Sequence, residues 1–359
     1  MRIIQIIDSL EAGGAERMAV NYANALAGLV SFSGLVATRK EGPLRKQVNP
    51  GVSYLYLNKR SVIDFNALFK LRQYVVQNEV TIVQAHSTSF FTAALLKVTY
   101  PSIQLIWHDH YGDSEFLSKR PVVALNSALL FFNGIISVNH KLKIWAETKL
   151  KFRNTIYLPN FPSEESNIAE HTVLDGEDNK RIVCLANLRV QKNHFLLLEV
   201  AMKLKVTHPD WTFHLIGKDF NDRYSAQIRH KIGEYDLEKK VFFYGSRQDV
   251  KNILQQCTIA VLSSNSEGLP LALLEYGLAK RPVVVTDVGE ISSVLQNGKN
   301  GFLVAPQSVE AFYAAAVAFI QSETLQSNLG NELYATIKKE YSEEGVLKSY
   351  LNWLQKNCK

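Results

Sequence analysis

Along the chain, short runs of apolar and β-branched residues alternate with longer stretches in which apolar positions recur three and four apart. The first run is Arg2–Ile7, followed by a glycine turn and a helical pattern from Ala15 to Leu29. Val80–Ala85, Ile103–His108 and Gly134–Val138 repeat the theme, the first two each leading through a polar site into a helix-like stretch. The second half brings Arg181–Ala186, Thr212–Ile216, Val241–Tyr244, Ile259–Leu262 and Pro282–Thr286. Short strands separated by helical patterns of about 10–20 residues predict βα units and parallel sheets. The expected fold class is α/β, with two doubly wound parallel-sheet domains. Two prolines in Pro159-Asn160-Phe161-Pro162, followed by the polar stretch Ser163–Lys180, mark a boundary. The expected organisation is a first domain at 1–160, a linker and hinge at 161–180, a second domain at 181–342, and a final helix at 343–359. That helix is amphipathic, with Val346, Leu347, Tyr350, Leu351 and Leu354 at helical spacing.

Composition leaves this picture standing. A length of 359 residues suits two domains, and 47% hydrophobic with 21% charged residues excludes a disordered chain. Cys184, Cys257 and Cys358 are widely spaced with no C-x-x-C pair, which points away from disulfides and zinc and towards a reducing compartment. The apolar run before Asp8 is too short for a signal peptide. The most membrane-like segment, Pro121–Val138, is interrupted by Asn126, Asn133 and Gly134, so a helix followed by a strand is expected there. The expected location is cytoplasmic.

Charge adds an asymmetry. Residues 1–160 hold 18 Lys and Arg against 10 Asp and Glu, whereas the remainder holds 22 against 24. A basic first half suggests an anionic partner: a membrane surface, a phosphorylated acceptor or nucleic acid. A plain solvated basic face accounts for the charge equally well. Nucleic acid is the weakest of these, because aromatic residues do not interleave with the basic clusters.

Ligands of open α/β sheets bind beyond the carboxyl ends of the strands, so the chemistry is expected there, in a cleft between the two domains. After the strand Ile259–Leu262 comes SNSEGLPLALLEYG. Pro270 suits the first helical position, with the helix running through Leu271–Lys280, Glu267 ahead of it and Glu275 in its second turn. A helix start favours phosphate, Gly268 lets backbone approach a ligand, and a carboxylate grips vicinal hydroxyls. Phosphate between two diol-binding carboxylates describes a nucleotide-sugar. The plainer alternative is a dipole-favoured Glu267 and a solvent-facing Glu275, which the surrounding leucines weaken. Arg189 and Lys192 can neutralise a diphosphate or can be loop cations. Gly13 and Gly14 can present backbone N–H groups or merely form a tight turn; they are not a G-x-G-x-x-G series. His108, Asp109 and His110 stand at a strand end, where either imidazole suits a ligand or the core.

The Glu-x7-Glu pattern, followed by RPVVVTDVGE and NGKNGFLVAP, closely resembles the retaining glycosyltransferases of family four. SLEAGGAERMAVNYANAL, WHDHYGD, IYLPNFP and ANLRVQKNH extend the resemblance over essentially the whole chain. It implies the GT-B fold of two Rossmann-like domains, the first binding the acceptor and the second a UDP- or GDP-sugar. It places Glu267 on the transferred sugar and Glu275 on the ribose hydroxyls. It turns the backbone of Gly268, Leu269 and Leu271 towards diphosphate and sugar, with Ser264 matching the family's serine. Lys192-Asn193 matches the family's basic pair, while Asn187 stands where its arginine is common and Arg189 follows two residues later. Gly13 and Gly14 would present backbone N–H groups to the phosphates or the transferred sugar, and one of His108 and His110 would face the reacting sugar. Tyr244, with Gly217 and Gly245, would border the nucleobase. Glu290 replaces a frequent second glycine.

The chain has no D-x-D motif, so no metal and no further cofactor is expected. The resemblance implies a retained anomer by front-face attack. The expected acceptor is a saccharide, lipid-linked in bacterial capsule, lipopolysaccharide or exopolysaccharide synthesis. The alternatives are a soluble acceptor or a non-catalytic nucleotide-sugar-binding protein. Arg39, Lys40, Arg45, Lys46, Lys59 and Arg60 are the candidates for peripheral contact with an anionic membrane.

Overall fold

The computed structural model describes residues 1–112, 117–118, 120–163 and 171–357. The chain divides into two units, Met1–Glu164 with Glu343–Lys359, and Glu165–Ser342.

The first unit is built on β1 (Arg2–Ser9), β2 (Phe32–Lys40), β3 (Ser53–Tyr56), β4 (Ile82–His86), β5 (Gln104–Asp109), β6 (Gly134–Ser137) and β7 (Thr155–Tyr157). Their order is β3-β2-β1-β4-β5-β6-β7, and every pairing is parallel. Around them stand α1 (Gly14–Leu26), α2 (Phe65–Gln77), α3 (Phe90–Thr99), α4 (Val123–Leu129) and α5 (His140–Thr148). Ile3, Ile4, Ile6 and Ile7 are all buried, which is why β1 reads as an unbroken apolar run: a central parallel strand is covered on both faces. Strand order reverses between β1 and β4, the position at which such sheets bind ligands.

The second unit repeats the plan with β8 (Arg181–Leu185), β9 (Thr212–Ile216), β10 (Val241–Gly245), β11 (Ile259–Leu262), β12 (Val283–Thr286) and β13 (Phe302–Val304). Their order is β10-β9-β8-β11-β12-β13, again parallel throughout, with the reversal between β8 and β11. The helices are α6 (His194–Thr207), α7 (Arg223–Glu234), α8 (Val250–Gln255), α9 (Leu271–Leu278), α10 (Ile291–Val294), α11 (Val309–Ile320) and α12 (Glu323–Glu340). Helix α9 is buried on most sides, and α12 passes so close that a Cβ on Gly277 would lie 2.5 Å from Ile337 Cγ1.

The last helix, α13 (Glu343–Asn357), belongs to the first unit. Val346, Leu347, Tyr350 and Leu354 are buried, and the Tyr350 ring meets Tyr22 of α1 edge to face at 5.1 Å. Residues 164–170 of the expected linker lie outside the described residues. Its later part is not loose. Thr172 donates from N–H and hydroxyl to the Asp249 carboxylate (2.6 and 2.9 Å), and Leu174 N–H donates to Gln256 Oε1 at 3.1 Å, so 171–180 packs on the second unit. Pro121–Val138 forms α4 and β6, and no helix among the described residues is long and apolar enough to cross a membrane.

Candidate active site

In the second unit, the loops after β8 and β11 are stitched together. Asn265 N–H donates to Gln191 O (2.8 Å), Ser263 Oγ to Lys192 O (2.9 Å), and Thr286 Oγ1 at the end of β12 to Ser264 O (2.6 Å). This framework brings Lys192 Nζ to 2.5 Å from Glu267 Oε1, where Ser264 Oγ also donates at 2.6 Å. Glu267 is only 7% exposed, so it is not the open rim residue that its loop position suggests. Burying a carboxylate requires such a partner, and Lys192 supplies it. Gly289 closes over this loop with φ +62, and a Cβ there would lie 2.0 Å from Glu267 O, so only glycine fits. Glu290 N–H donates to Gly268 O at 3.1 Å, which makes the residue that departs from the family's glycine a backbone clasp on the same loop.

Pro270 is the cap before α9 rather than its first residue, and α9 ends at Leu278, two residues earlier than expected. Leu269 and Leu271 are buried, so their backbone is what they can offer a ligand. Glu275 is half-buried in the second turn of α9. Its neighbour Tyr276 was not picked out from the sequence. Its hydroxyl donates to Val261 O (3.2 Å) and accepts from Leu185 N–H (2.7 Å), locking α9 to both strands at the reversal. Arg189 is exposed, with its guanidinium 4.8 Å from the Phe220 ring centroid. Tyr244 is not brought to this group through its hydroxyl. That oxygen accepts from Asp175 N–H (2.9 Å), donates to Asp175 Oδ2 (3.0 Å) and lies 3.1 Å from His214 Nδ1.

In the first unit, the register aligns Gln5 with Gln84 and His86 with His108, so these side chains share the α1 face of the sheet. His86 Nε2 lies 2.8 Å from Gln5 Oε1, His86 Nδ1 lies 2.9 Å from His110 Nε2, and Gln84 Nε2 lies 2.8 Å from His108 Nδ1. Burial holds His86 and His108 well below the usual histidine range and takes His110 down to about 3, so the layer is neutral at pH 7. His108 is 1% exposed whereas His110 is half-buried, so His110 has the more open ring. On the opposite face, Arg120 makes a bidentate pair with Asp109 (2.6 and 2.8 Å). The guanidinium also stacks on Tyr111 at 4.3 Å and Trp145 at 4.6 Å. The pair anchors the loop that carries His110. His86, Gln5 and Gln84 were missed. The available signal was polar residues inside apolar runs, RIIQII and TIVQAH, the same kind of signal that exposed Glu267.

Gly13 precedes α1 in extended backbone, and a side chain on Gly14 would meet no atom within 4 Å. Neither glycine has the positive φ of a tight turn, but a Cβ on Gly13 would lie 2.2 Å from Glu16 Oε2, so the Glu16 carboxylate folds over the start of α1 and only the Gly14 side is open. Among the basic residues, Arg39, Lys40, Arg45, Lys46 and Arg60 are exposed. Lys59 is not a surface cation: it is 7% exposed, and its Nζ donates to Thr92 Oγ1 at 2.8 Å.

Comparison with known proteins agrees with this architecture. The model described as Glycosyltransferase Family 4 matches residues 12–161, and that described as Glycosyl transferases group 1 matches residues 168–336. An uncharacterized glycosyltransferase of Haemophilus influenzae is 23% identical over 347 residues, covering 94% of this chain and 95% of its own. The UDP-Gal:alpha-D-GlcNAc-diphosphoundecaprenol alpha-1,3-galactosyltransferase of Escherichia coli is 22% identical, with 80% of each chain covered. The crystal structure of Anabaena HepE in complex with UDP-glucose superposes with a TM-score of 0.79 at 15% identity, covering 99% of this chain and 100% of that one. With family matches running through nearly its whole length, the chain belongs to the glycosyltransferases of family four and is a glycosyltransferase of the GT-B fold.

Proposed function

We propose that this glycosyltransferase moves a sugar, with retention, from a UDP-sugar to a hydroxyl of a lipid-linked saccharide. The observation that carries the reading is the Lys192–Glu267–Ser264 group at the strand-order reversal of the second unit. A buried ion pair beside an open-ended helix is an arrangement in which the cation can change partners. On donor binding, Lys192 and Arg189 turn to the diphosphate. Glu267, still held by Ser264, accepts from hydroxyls of the transferred sugar, and Glu275 takes the ribose diol. The backbone at Gly268, Leu269 and Leu271 faces the phosphates with the positive end of α9.

In the first unit, Gly13 and Gly14 offer backbone N–H groups at the start of α1 once the Glu16 carboxylate turns aside, and His110 donates to a sugar hydroxyl while His108 supports it from below. The acceptor hydroxyl attacks the anomeric carbon, the bond to the diphosphate breaks, and the departing phosphate oxygen takes the proton. The protein contributes position and charge stabilisation, and its side-chain cations do the work of a metal. UDP is favoured because the HepE structure holds UDP-glucose, and a lipid diphosphate acceptor because the Escherichia coli relative acts on one.

The first unit also carries a membrane-facing surface, which suits a protein at the inner face of the cytoplasmic membrane. Val62, Ile63, Phe65 and Phe69 are 63%, 51%, 78% and 65% exposed, close in sequence to Arg60 and Arg72. Apolar side chains beside cations fit an anionic bilayer interface.

The test is a panel of UDP- and GDP-sugars with lipid-diphosphate and soluble saccharide acceptors, followed by assignment of the product anomer. A UDP-sugar giving a labelled lipid with retained configuration is expected. An inverted product overturns the mechanism, and donor binding without transfer to any acceptor overturns the enzymatic reading of this chain.

A further inference from the structure

Beneath α1, four polar atoms of one cluster are buried without a hydrogen-bond partner: His108 Nε2, Gln5 Nε2, Gln84 Oε1 and Tyr22 Oη. Orphaned polar atoms are rare and normally scattered, because each one costs about 1–3 kcal/mol. Here they surround three imidazoles, His86, His108 and His110, each offering a ligand nitrogen within 4.8 Å of the others.

The ring positions suit a common centre. A metal about 2.0–2.1 Å from a ring nitrogen lies about 3.2 Å from the ring centroid. At angles of about 90–110°, three such rings have centroids about 4.5–5.2 Å apart. The observed separations are 4.9 Å for His86 and His108, 5.1 Å for His86 and His110, and 4.0 Å for His108 and His110. The His86–His108 pair fits as it stands and His108–His110 needs a shift of about half an ångström, whereas His86 Nδ1 and His110 Nε2 point at one another at 2.9 Å and must turn to converge on an ion.

The surroundings also supply what orients ligands. His86 donates from Nε2 to Gln5 Oε1, which leaves Nδ1 as its inward atom. The Gln84 amide lies on Nδ1 of His108, which leaves Nε2 facing inward. Turning that amide over lets Gln84 Oε1 accept from Nδ1–H and frees the Nε2 lone pair. Each buried histidine is thus backed by an outer amide, as metal-bound imidazoles are. The third ligand, His110, is the half-buried one and gives the ion its way in.

We infer that His86, His108 and His110 form a binding site for one borderline divalent transition-metal ion of the Zn²⁺ class. In the metal-free protein, the 2.9 Å contact between His86 Nδ1 and His110 Nε2 takes its place, one imidazole donating to the other. On binding, the His110 proton moves to its other nitrogen, so three neutral imidazoles take a divalent ion without net proton loss. The ion then fixes the ring that His110 would turn to a sugar, which makes it an inhibitor of transfer rather than a participant.

The experiment uses tag-free, chelator-stripped full-length protein without donor or acceptor, so its outcome is separate from that of the transfer assay. Co²⁺ is titrated against visible absorption, and the Zn²⁺ form is examined by X-ray absorption. One equivalent is expected, with an imidazole-rich shell at about 2.0–2.1 Å, and His110→Ala should weaken binding at least about tenfold. Circular dichroism checks that the variant is folded, and the wild-type absorption edge decides the question if it is not. Absence of stoichiometric binding, a shell without imidazole, or full affinity in folded His110→Ala would each overturn the site.

Discussion

The two units share a strand order and place polar side chains at the same topological point, yet they keep charge in different places. In the second unit, an ammonium and a carboxylate meet inside the site, Lys192 against Glu267, with side chains 19% and 8% exposed. In the first, the corresponding position holds neutral amides and imidazoles, while the exposed cations Arg39, Lys40, Arg45, Lys46 and Arg60 stand on the outside. The difference follows from what each is proposed to grip. A diphosphate is charged and rewards an internal cation that can change partners, whereas a sugar offers only hydroxyls, which neutral hydrogen-bonding groups match without the desolvation cost of an ion.

The hardest blow to this contrast is Lys192→Ala. Loss of a preorganised cation on the leaving diphosphate should lower transfer about 10²–10³-fold. The variant also takes the cation away from a buried carboxylate, so unfolding stability should fall by about 3 kcal/mol. Paired replacement of Lys192 by Met and Glu267 by Gln should regain much of the stability and none of the activity. Denaturant titration and initial rates with the best donor measure the two effects. A single variant with near-normal rate and stability would mean that the internal charge is incidental.

The outer face of the first unit is the next place to press. Each exposed phenylalanine that enters a bilayer interface is worth about 1.5–3 kcal/mol, and each nearby cation about 1 kcal/mol. Phe69→Ser should therefore weaken binding to vesicles rich in anionic lipid about 10–100-fold. Reversal of Arg45 and Lys46 should cost about 2–4 kcal/mol, and less as salt rises. Co-sedimentation separates the contributions. If neither change alters vesicle binding, the surface charge of this unit has another use.

Much of this was legible in the sequence because the central strands are apolar on both faces and their ends are not. Arg2–Ile7, Thr212–Ile216 and Ile259–Leu262 announce themselves, and Glu267 stands out as a carboxylate among leucines. The strands β2, β3, β7 and β13 were passed over, since β3, β7 and β13 are short edge strands and β2 mixes Ser, Gly and Thr with its apolar residues. The harder part was partnership. Glu267 and Lys192 lie 75 positions apart, His86 and His110 lie 24 apart, and Lys59 reaches Thr92 across 33. Such pairings depend on strand register and loop course, which periodicity along one chain does not encode. For the same reason, Lys59 looked like one more surface cation.

A pH-dependent effect concerns the histidines that the second unit buries. His194, first residue of α6 and two places after Lys192, donates its N–H to Tyr224 Oη at 2.8 Å. His214 sits between Thr212 Oγ1 at 2.9 Å and Tyr244 Oη at 3.1 Å. Burial lowers both from 6.5 to about 4. The unfolded chain therefore takes up protons below about pH 6.5 that the native unit refuses until about pH 4. Stability is complete above that upper value and falls as pH drops through the window, by about 1.4 kcal/mol per pH unit for each histidine. Below about pH 4 these two groups add no further slope. Calorimetric melting from pH 7.5 to 4 reads the effect on top of that of His86, His108 and His110, and the difference made by His194→Gln isolates the share of one histidine. A profile that His194→Gln and His214→Gln leave unchanged would show that these imidazoles are protonated in the native protein.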